Sequence, residues 1–190
     1  MNPASLTRHT AADLLPPAPP CSLLRMAVGS ELLAVAIEHV REILQVAKLT
    51  PLPRTPDFVR GVMNLRGAVV PVIDLAARLG GAATELGRRS CIVVVNTVAL
   101  PDAQGHPQPT PVVMGLLVDA VFDVFDRSAA EIEPTPALGT AIAPQYLSGM
   151  TRADGKLIGV LELAQVLGAR QLAEGIARYQ PQHHPQHQPH

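Results

Sequence analysis

The residues able to do chemistry in this sequence are few, and their spacing does not assemble them. Of its seven histidines, four lie in the terminal stretch PQHHPQHQPH (His183, His184, His187, His190). Such a tract has a metal-binding composition, and it equally describes a solvated low-complexity tail or a tag remnant. His39 falls in the charged turn EHVRE and His106 in the Pro-rich loop DAQGHPQP, where histidines are usually solvated. Two cysteines, Cys21 and Cys91, are too few for a disulfide framework or a four-ligand zinc site. Cys91 opens an apolar run and reads as a small buried hydrophobe. Asp119, Asp123 and Asp126 recur at close spacing, yet no Gly-centred calcium loop surrounds them. Gly80-Gly81 closes the segment LAARLG and is no phosphate cradle, because no strand feeds it. No nucleophile, base and orienting group can be named, so the expectation is a non-enzyme with no catalytic residue, metal or cofactor.

One polar cluster stands in an unusual place. Asn64-Leu65-Arg66-Gly67 forms a turn feeding AVVPVI, the most apolar stretch of the chain. Asn tolerates left-handed backbone and Gly supplies it, which displays Arg66 between them. Arg66 either pairs with a local carboxylate such as Asp74 or Glu42, or presents planar, bidentate donors to a partner. Residue physics leaves the two readings open.

The elements that must carry this turn are strands. The runs Leu23 to Val28, Leu32 to Ile37, Ala68 to Ile73, Ile92 to Val98, Val112 to Val118 and Leu157 to Leu161 are short and rich in Val and Ile. Their near-continuous apolarity predicts burial on both faces, as in a small curled barrel packed on another. Helical patterning is confined to turns near Glu38 to Leu44 and Leu75 to Leu79 and to a segment from about Leu163 to Tyr179. Composition supports an ordered centre. Hydrophobic residues make up 47% of the 190 and charged ones 16%, too apolar for a chain disordered throughout. Prolines crowd the first 21 residues and the last 11, which are expected to be disordered extensions. With 15 Lys and Arg against 16 Asp and Glu, and five aromatics, neither a nucleic-acid surface nor a base-stacking platform is expected. No apolar run approaches the roughly 20 residues needed to span a bilayer, and the Pro-rich head lacks the apolar core of a secretory signal. A soluble cytoplasmic protein is the expectation.

The sequence also repeats. VRGVMNLRGAVVPVIDLAARLG (59–80) aligns without a gap on LSGMTRADGKLIGVLELAQVLG (147–168) at an offset of 88 residues. Gly61, Gly67, Leu75, Ala76, Leu79 and Gly80 all recur. Upstream, Val35 to Val40 aligns on Leu116 to Val121, and Pro51 and Pro53 on Pro134 and Pro136. Paired glycines flanking paired strands mark shared backbone demands. The expectation is two related β-barrel lobes, approximately 22–80 and 90–168. Each is too small to hold a core alone, so both must share one.

With these residues in hand, the stretch VREILQVAKLTPLPRTPDFVRGVMNLRGAVVPVIDLAARLG (40–80) resembles the signature of the CheW family, the coupling proteins of bacterial chemosensory arrays. GLLVDAVFDVF, IEPTP and YLSGMTRADGKLIGVLEL follow in the family's order. The resemblance covers about 22–168 and implies a mostly β fold. That fold has two five-stranded SH3-like barrels around a shared hydrophobic core, with short helices and a C-terminal helix at 169–179 before a His/Gln/Pro tail at 180–190. It implies a non-catalytic adaptor joining chemoreceptor cytoplasmic tips to the regulatory domain of a CheA-type histidine kinase. Residues matching the family's binding surfaces are Val40, Glu42, Gly61, Arg66, Gly67, Val121 and Val124. Read alone, the three valines equally suit core packing, Glu42 a solvated or paired turn, and the glycines backbone geometry.

The loop from Ala99 to Pro111 is longer than the family's hairpin there, and the Pro-rich head lies outside the pattern. Two other functions stay open on sequence. One is the equivalent adaptor of a non-flagellar system, such as type IV pilus control. The other is a stand-alone module whose inter-barrel groove takes a peptide or small hydrophobic ligand.

Overall fold

The computed structural model describes residues 20–96, 113–135 and 141–168. The expected helix at 169–179, the tail, most of the Pro-rich head and the 99–111 loop lie outside them. Within the described residues the β-branched runs form ten strands and two one-turn helices: β1 (Cys21–Val28), β2 (Glu31–Ala36), β3 (Val40–Gln45), β4 (Val59–Leu65), β5 (Ala68–Asp74), α1 (Leu75–Arg78), β6 (Cys91–Asn96), β7 (Val113–Val118), β8 (Ala120–Arg127), β9 (Leu147–Ala153), β10 (Lys156–Leu161) and α2 (Leu163–Val166). The chain is therefore mostly β, as expected. Cys21 is the first residue of β1 and no part of the extension. The helical turn expected over Glu38 to Leu44 is instead a 3-10 turn, Ile37–His39, followed by β3. In β3, Val40, Glu42 and Leu44 alternate with exposed Arg41, Ile43 and Gln45, and that period of two overrides the helix-like spacing.

The strands form two five-stranded sheets, ordered β8-β1-β2-β10-β9 and β3-β6-β7-β5-β4. Replacing each strand by its counterpart in the repeat converts one order into the other. Register follows suit. Parallel β10 and β2 pair Val160 with Ala34, and parallel β5 and β7 pair Val72 with Gly115, the equivalent positions. Even the bulge between Val59 and Gly61 recurs between Leu147 and Gly149. The lobes, however, are not the two halves of the sequence. Each sheet takes two strands from one half and three from the other, because the chain crosses between sheets after β2 and again after β7. Neither half can close a sheet alone.

The core explains the unbroken apolar runs. Val93 and Val95 of β6 face one cluster while Ile92 and Val94 face another. The first cluster is shared: Leu24, Met26, Leu33 and Val35 from one sheet meet Ile73, Val93, Met114 and Leu116 from the other. A fully buried side chain of this kind stabilises by roughly 1.5–3 kcal/mol, so this seam holds the sheets together. The other two clusters lie within the individual sheets, around Val70 and Val94 in one and around Leu23 and Ile158 in the other. Each sheet curls until its outer strands approach, consistent with SH3-like barrels. Leu44 beyond β6 and Leu65 of β4 pack on one cluster, and Arg127 of β8 donates to the Arg152 carbonyl of β9 at 2.8 Å.

Both helices start on a carboxylate. Asp74 accepts from the Ala77 N–H, and Glu162 from the Ala164 N–H, satisfying donors that a helix start leaves unpaired. Arg78, at the end of α1, binds across to the other half. Its Nε donates to the Val166 carbonyl at 2.6 Å, Nη1 to the Tyr146 hydroxyl at 3.0 Å and Nη2 to the Gln165 carbonyl at 3.2 Å.

Candidate partner-binding surface

The β4–β5 connection is a two-residue hairpin, since Leu65 pairs with Ala68 across it. Such hairpins favour turns with φ > 0 at both central residues, matching strand twist. Arg66 has φ 52° and Gly67 φ 89°. Asn64 supplies a hydrogen bond rather than the left-handed backbone expected of it: its Oδ1 accepts from the Gly67 N–H at 2.8 Å. Leu65 anchors the turn by packing on the cluster of Met63 and Val70. Arg66 is thereby held out in solvent, its side chain 80% exposed.

Between the two carboxylates open to Arg66, the geometry selects Glu42. Arg66 Nη2 lies 3.0 Å from Glu42 Oε2, whose side chain is only 21% exposed. Asp74 is fully buried and otherwise engaged. Its oxygens accept from the Thr84 N–H at 2.8 Å and the Thr84 hydroxyl at 3.0 Å, with Arg60 at 3.6 Å. The pair at Glu42 leaves most of the guanidinium's five donors unused. An exposed pair of this kind contributes about 0–1 kcal/mol to folding, so it orients Arg66 more than it stabilises the fold.

Gly61 and Gly67 differ. At Gly61, φ is 135° and an added Cβ would run into the Thr50 carbonyl, where Thr50 and Val62 exchange backbone hydrogen bonds of 2.9 Å. Gly61 is thus required by close backbone approach. An added Cβ at Gly67 meets open space, so only its φ matters. Val40 and Val121 are half-buried, and both pack against the shared cluster. Val124 pairs with Leu24 in register but is 50% exposed, against the core-packing reading. The structure thus joins Glu42 to Arg66, sets Val40 and Val121 on the seam, and leaves Val124 on the other sheet's surface.

Residue types alone gave no reason to single out a second surface, on that other sheet. The β9–β10 turn places Asp154 at φ 51° and Gly155 at φ 73°. Arg25 of β1 grips Asp123 through Nε at 2.7 Å and Nη2 at 2.9 Å, and Asp154 through Nη1 at 2.8 Å. Its guanidinium lies 6.0 Å and 5.9 Å from the ring centroids of Phe122 and Phe125. The Arg25 hydrogen bond holds the Asp154 carboxyl below the usual carboxylate range. The signal was the repeat itself, which aligns Asp154 with Arg66 and Asp123 with Glu42.

Asp119 accepts from the Gly29 N–H at 2.7 Å and Asp126 from the Ser22 hydroxyl at 2.6 Å, so the three aspartates serve separate contacts. Burial raises both thiol pKa values, with Glu38 and Asp126 adding to the rise at Cys21, which disfavours a reactive thiolate. Among the described residues no three His, Cys, Asp or Glu converge on a metal position. No helix there is long and apolar enough to cross a membrane.

Comparison with known proteins adds the following. The CheW-like domain family matches residues 22–171. The chain is 37% identical over 144 residues to "Chemotaxis protein CheW" of Rhizobium meliloti, covering 76% of this chain and 85% of that protein. It is 36% identical to "Protein FrzA" of Myxococcus xanthus, covering 77% and 85%. The solved structure of the scaffolding protein TtCheW from Thermoanaerobacter tengcongensis superposes with a TM-score of 0.65 at 29% identity, over 84% of this chain and 91% of that one.

Proposed function

This chain belongs to the CheW-like domain family and is a chemotaxis coupling adaptor, and we propose that it bridges the cytoplasmic tip of a chemoreceptor to the regulatory domain of a CheA-type histidine kinase, with no turnover of its own. In this reading it resides in the cytoplasm, held at membrane receptor arrays by protein contacts alone. The observation that carries the proposal is Arg66: a rigid hairpin displays a guanidinium with one oriented bond and several free donors. Arg at such a position is a frequent hot spot. Glu42 aims it, Gly67 makes the turn, and Gly61 holds β4 against the Thr50 carbonyl. Val40 and Val121 supply apolar flanks where the sheets meet, a form suited to an amphipathic receptor helix, with Val124 extending the surface over β8. FrzA is as similar to this chain as the Rhizobium CheW protein is, so the output pathway belongs to the partner.

Capture of the kinase regulatory domain and of a receptor cytoplasmic fragment on immobilised chain tests this. The wild type should retain both, and Arg66→Ala should lose at least one while melting normally. Full retention of both by Arg66→Ala would remove Arg66 from the interface.

A further inference from the structure

Charge is divided unequally between the lobes. Within 20–39, 119–135 and 141–168, which carry the β8-β1-β2-β10-β9 sheet, nine Asp and Glu face four Lys and Arg. Within 40–96 and 113–118, eight Lys and Arg face four Asp and Glu. Among the described residues the two lobes therefore carry formal net charges of −5 and +4. Where the lobes meet, away from Arg66, lies a cavity of about 530 Å³, within the range of about 300–1,000 Å³ typical of ligand sites. The β1–β2 hairpin, the end of α1 and the segment after it form its walls. Val28, Leu79 and Ile142, all buried, make an apolar floor. Glu31, Glu85 and Asp119 stand around it, and among the described residues no cationic side chain lines it.

We propose that this cavity is a second docking site, taking a basic, aliphatic peptide segment of a protein partner. A Lys or Arg side chain has the required composition: its methylene stem covers apolar surface while its head stays at a polar rim. The floor matches the stem and the three carboxylates match the head. Glu31 and Asp119 from one lobe and Glu85 from the other spread three carboxylates along the opening, a row that successive basic side chains of one segment can meet and a small organic cation cannot. One Asp119 oxygen is already held by the Gly29 N–H, so that carboxylate is fixed before any ligand arrives. None of the cavity residues is among the seven residues of the family resemblance, so the site and the Arg66 surface can fail independently.

The probe is a fluorescein-labelled hexapeptide of alternating Arg and Leu, titrated against the full chain by anisotropy at low ionic strength. Saturable binding is expected, weakened about tenfold by Glu85→Gln with Asp119→Asn, because charged hydrogen-bond partners are lost. Ala82→Trp, which blocks the exposed wall without changing charge, should weaken it as much. Asp126→Asn with Glu131→Gln removes equal charge elsewhere on the acidic lobe and should leave affinity within about twofold when the titration is repeated at about 0.15 M salt, where general attraction is screened. Equal losses from both charge pairs, indifference to Ala82→Trp, or equal affinity for a labelled hexapeptide of alternating Glu and Leu would each overturn the proposal. So would a cavity closed by self-association, seen as a dimer that the cavity variants dissociate. Thermal melting of each variant separates these results from loss of fold.

Discussion

Arg66 and Asp154 occupy the same position of the repeat and carry opposite charges on one backbone shape. Each is the first residue of a two-residue hairpin turn, with φ of 52° and 51°, and each is followed by a left-handed glycine. Arg66 pairs with Glu42 at 3.0 Å, while Asp154 pairs with Arg25 at 2.8 Å. The counterpart of Glu42 is Asp123, which would repel Asp154 had Arg25 not reached across from β1 to hold both. The two halves have thus kept their turns while the tip residue alone changed sign, so the hairpin tips present opposite charges.

Replacing Arg66 by Asn separates display from architecture. Asn-Gly is a favoured pair for this hairpin turn, and Asn relieves the left-handed cost that an arginine carries. The exposed ion pair lost is worth little. The melting transition of Arg66→Asn should therefore stay within about 0.5 kcal/mol of the parent or rise. Calorimetric affinity for the kinase regulatory domain should fall by about 1–3 kcal/mol. A parallel fall in stability and affinity would assign Arg66 to the fold.

The two glycines of the surface should respond differently to alanine. Gly67→Ala adds a methyl in open space and costs about 1–2 kcal/mol for its backbone alone. Gly61→Ala adds that strain to a collision with the Thr50 carbonyl, for about 2–5 kcal/mol together. Urea unfolding of both variants measures the difference. Similar costs would mean that the β4 edge yields at Thr50, and that Gly61 matters at the surface for another reason.

Sequence alone made the inner strands legible, because β1, β2, β5, β6, β7 and β10 are buried on both faces and read as apolar runs. The outer strands β3, β4, β8 and β9 mix charged and polar residues among their apolar ones, and VREILQ even mimics a helical turn until Val95 and Val93 of β6 pair with it. The repeat was visible in paired glycines and helix caps. Its exchange of strands between sheets was not, since crossing after Ala36 is a matter of where an apolar face finds cover. Arg66 could be singled out from its turn, but the choice between Asp74 and Glu42 needed three dimensions, as did the burial of Asp74 under Thr84.

The carboxyl of Asp154 has a defined signature with pH. Its folded pKa lies below the ordinary value because Arg25 donates to it, so its stabilisation is complete above the unfolded aspartate pKa of about 3.9 and is lost as pH falls through the folded value. Glu131 acts in the same direction through the Ser128 N–H and hydroxyl. Denaturant unfolding followed from pH 6 to about pH 2.5 should show stability declining on the acid side. Asp154→Asn should make that decline shallower, with no steepening elsewhere. An unchanged acid limb in the variant would mean that the Arg25 contact does not persist in solution.

Arg78 is the last residue with a sharp expectation, because it ties the two halves at a point where their counterparts meet. Phe58 and Tyr146 are 88 residues apart in the repeat, and the guanidinium lies 5.0 Å from the centroid of each ring. Their carbonyls accept from the capping residues, Asp74 N–H at 2.7 Å and Glu162 N–H at 2.9 Å, so ring positions and helix starts are coupled. A lysine can place one ammonium there but cannot reach the Val166 and Gln165 carbonyls and the Tyr146 hydroxyl together while stacking. Arg78→Lys should therefore cost about 1–3 kcal/mol, and Tyr146→Phe, which deletes one bond and keeps the ring, about 1 kcal/mol. In a double-mutant cycle the two should couple by at least about 0.5 kcal/mol. Additive losses, or a lysine variant as stable as the parent, would show that the planar fork is not what joins α1 to α2.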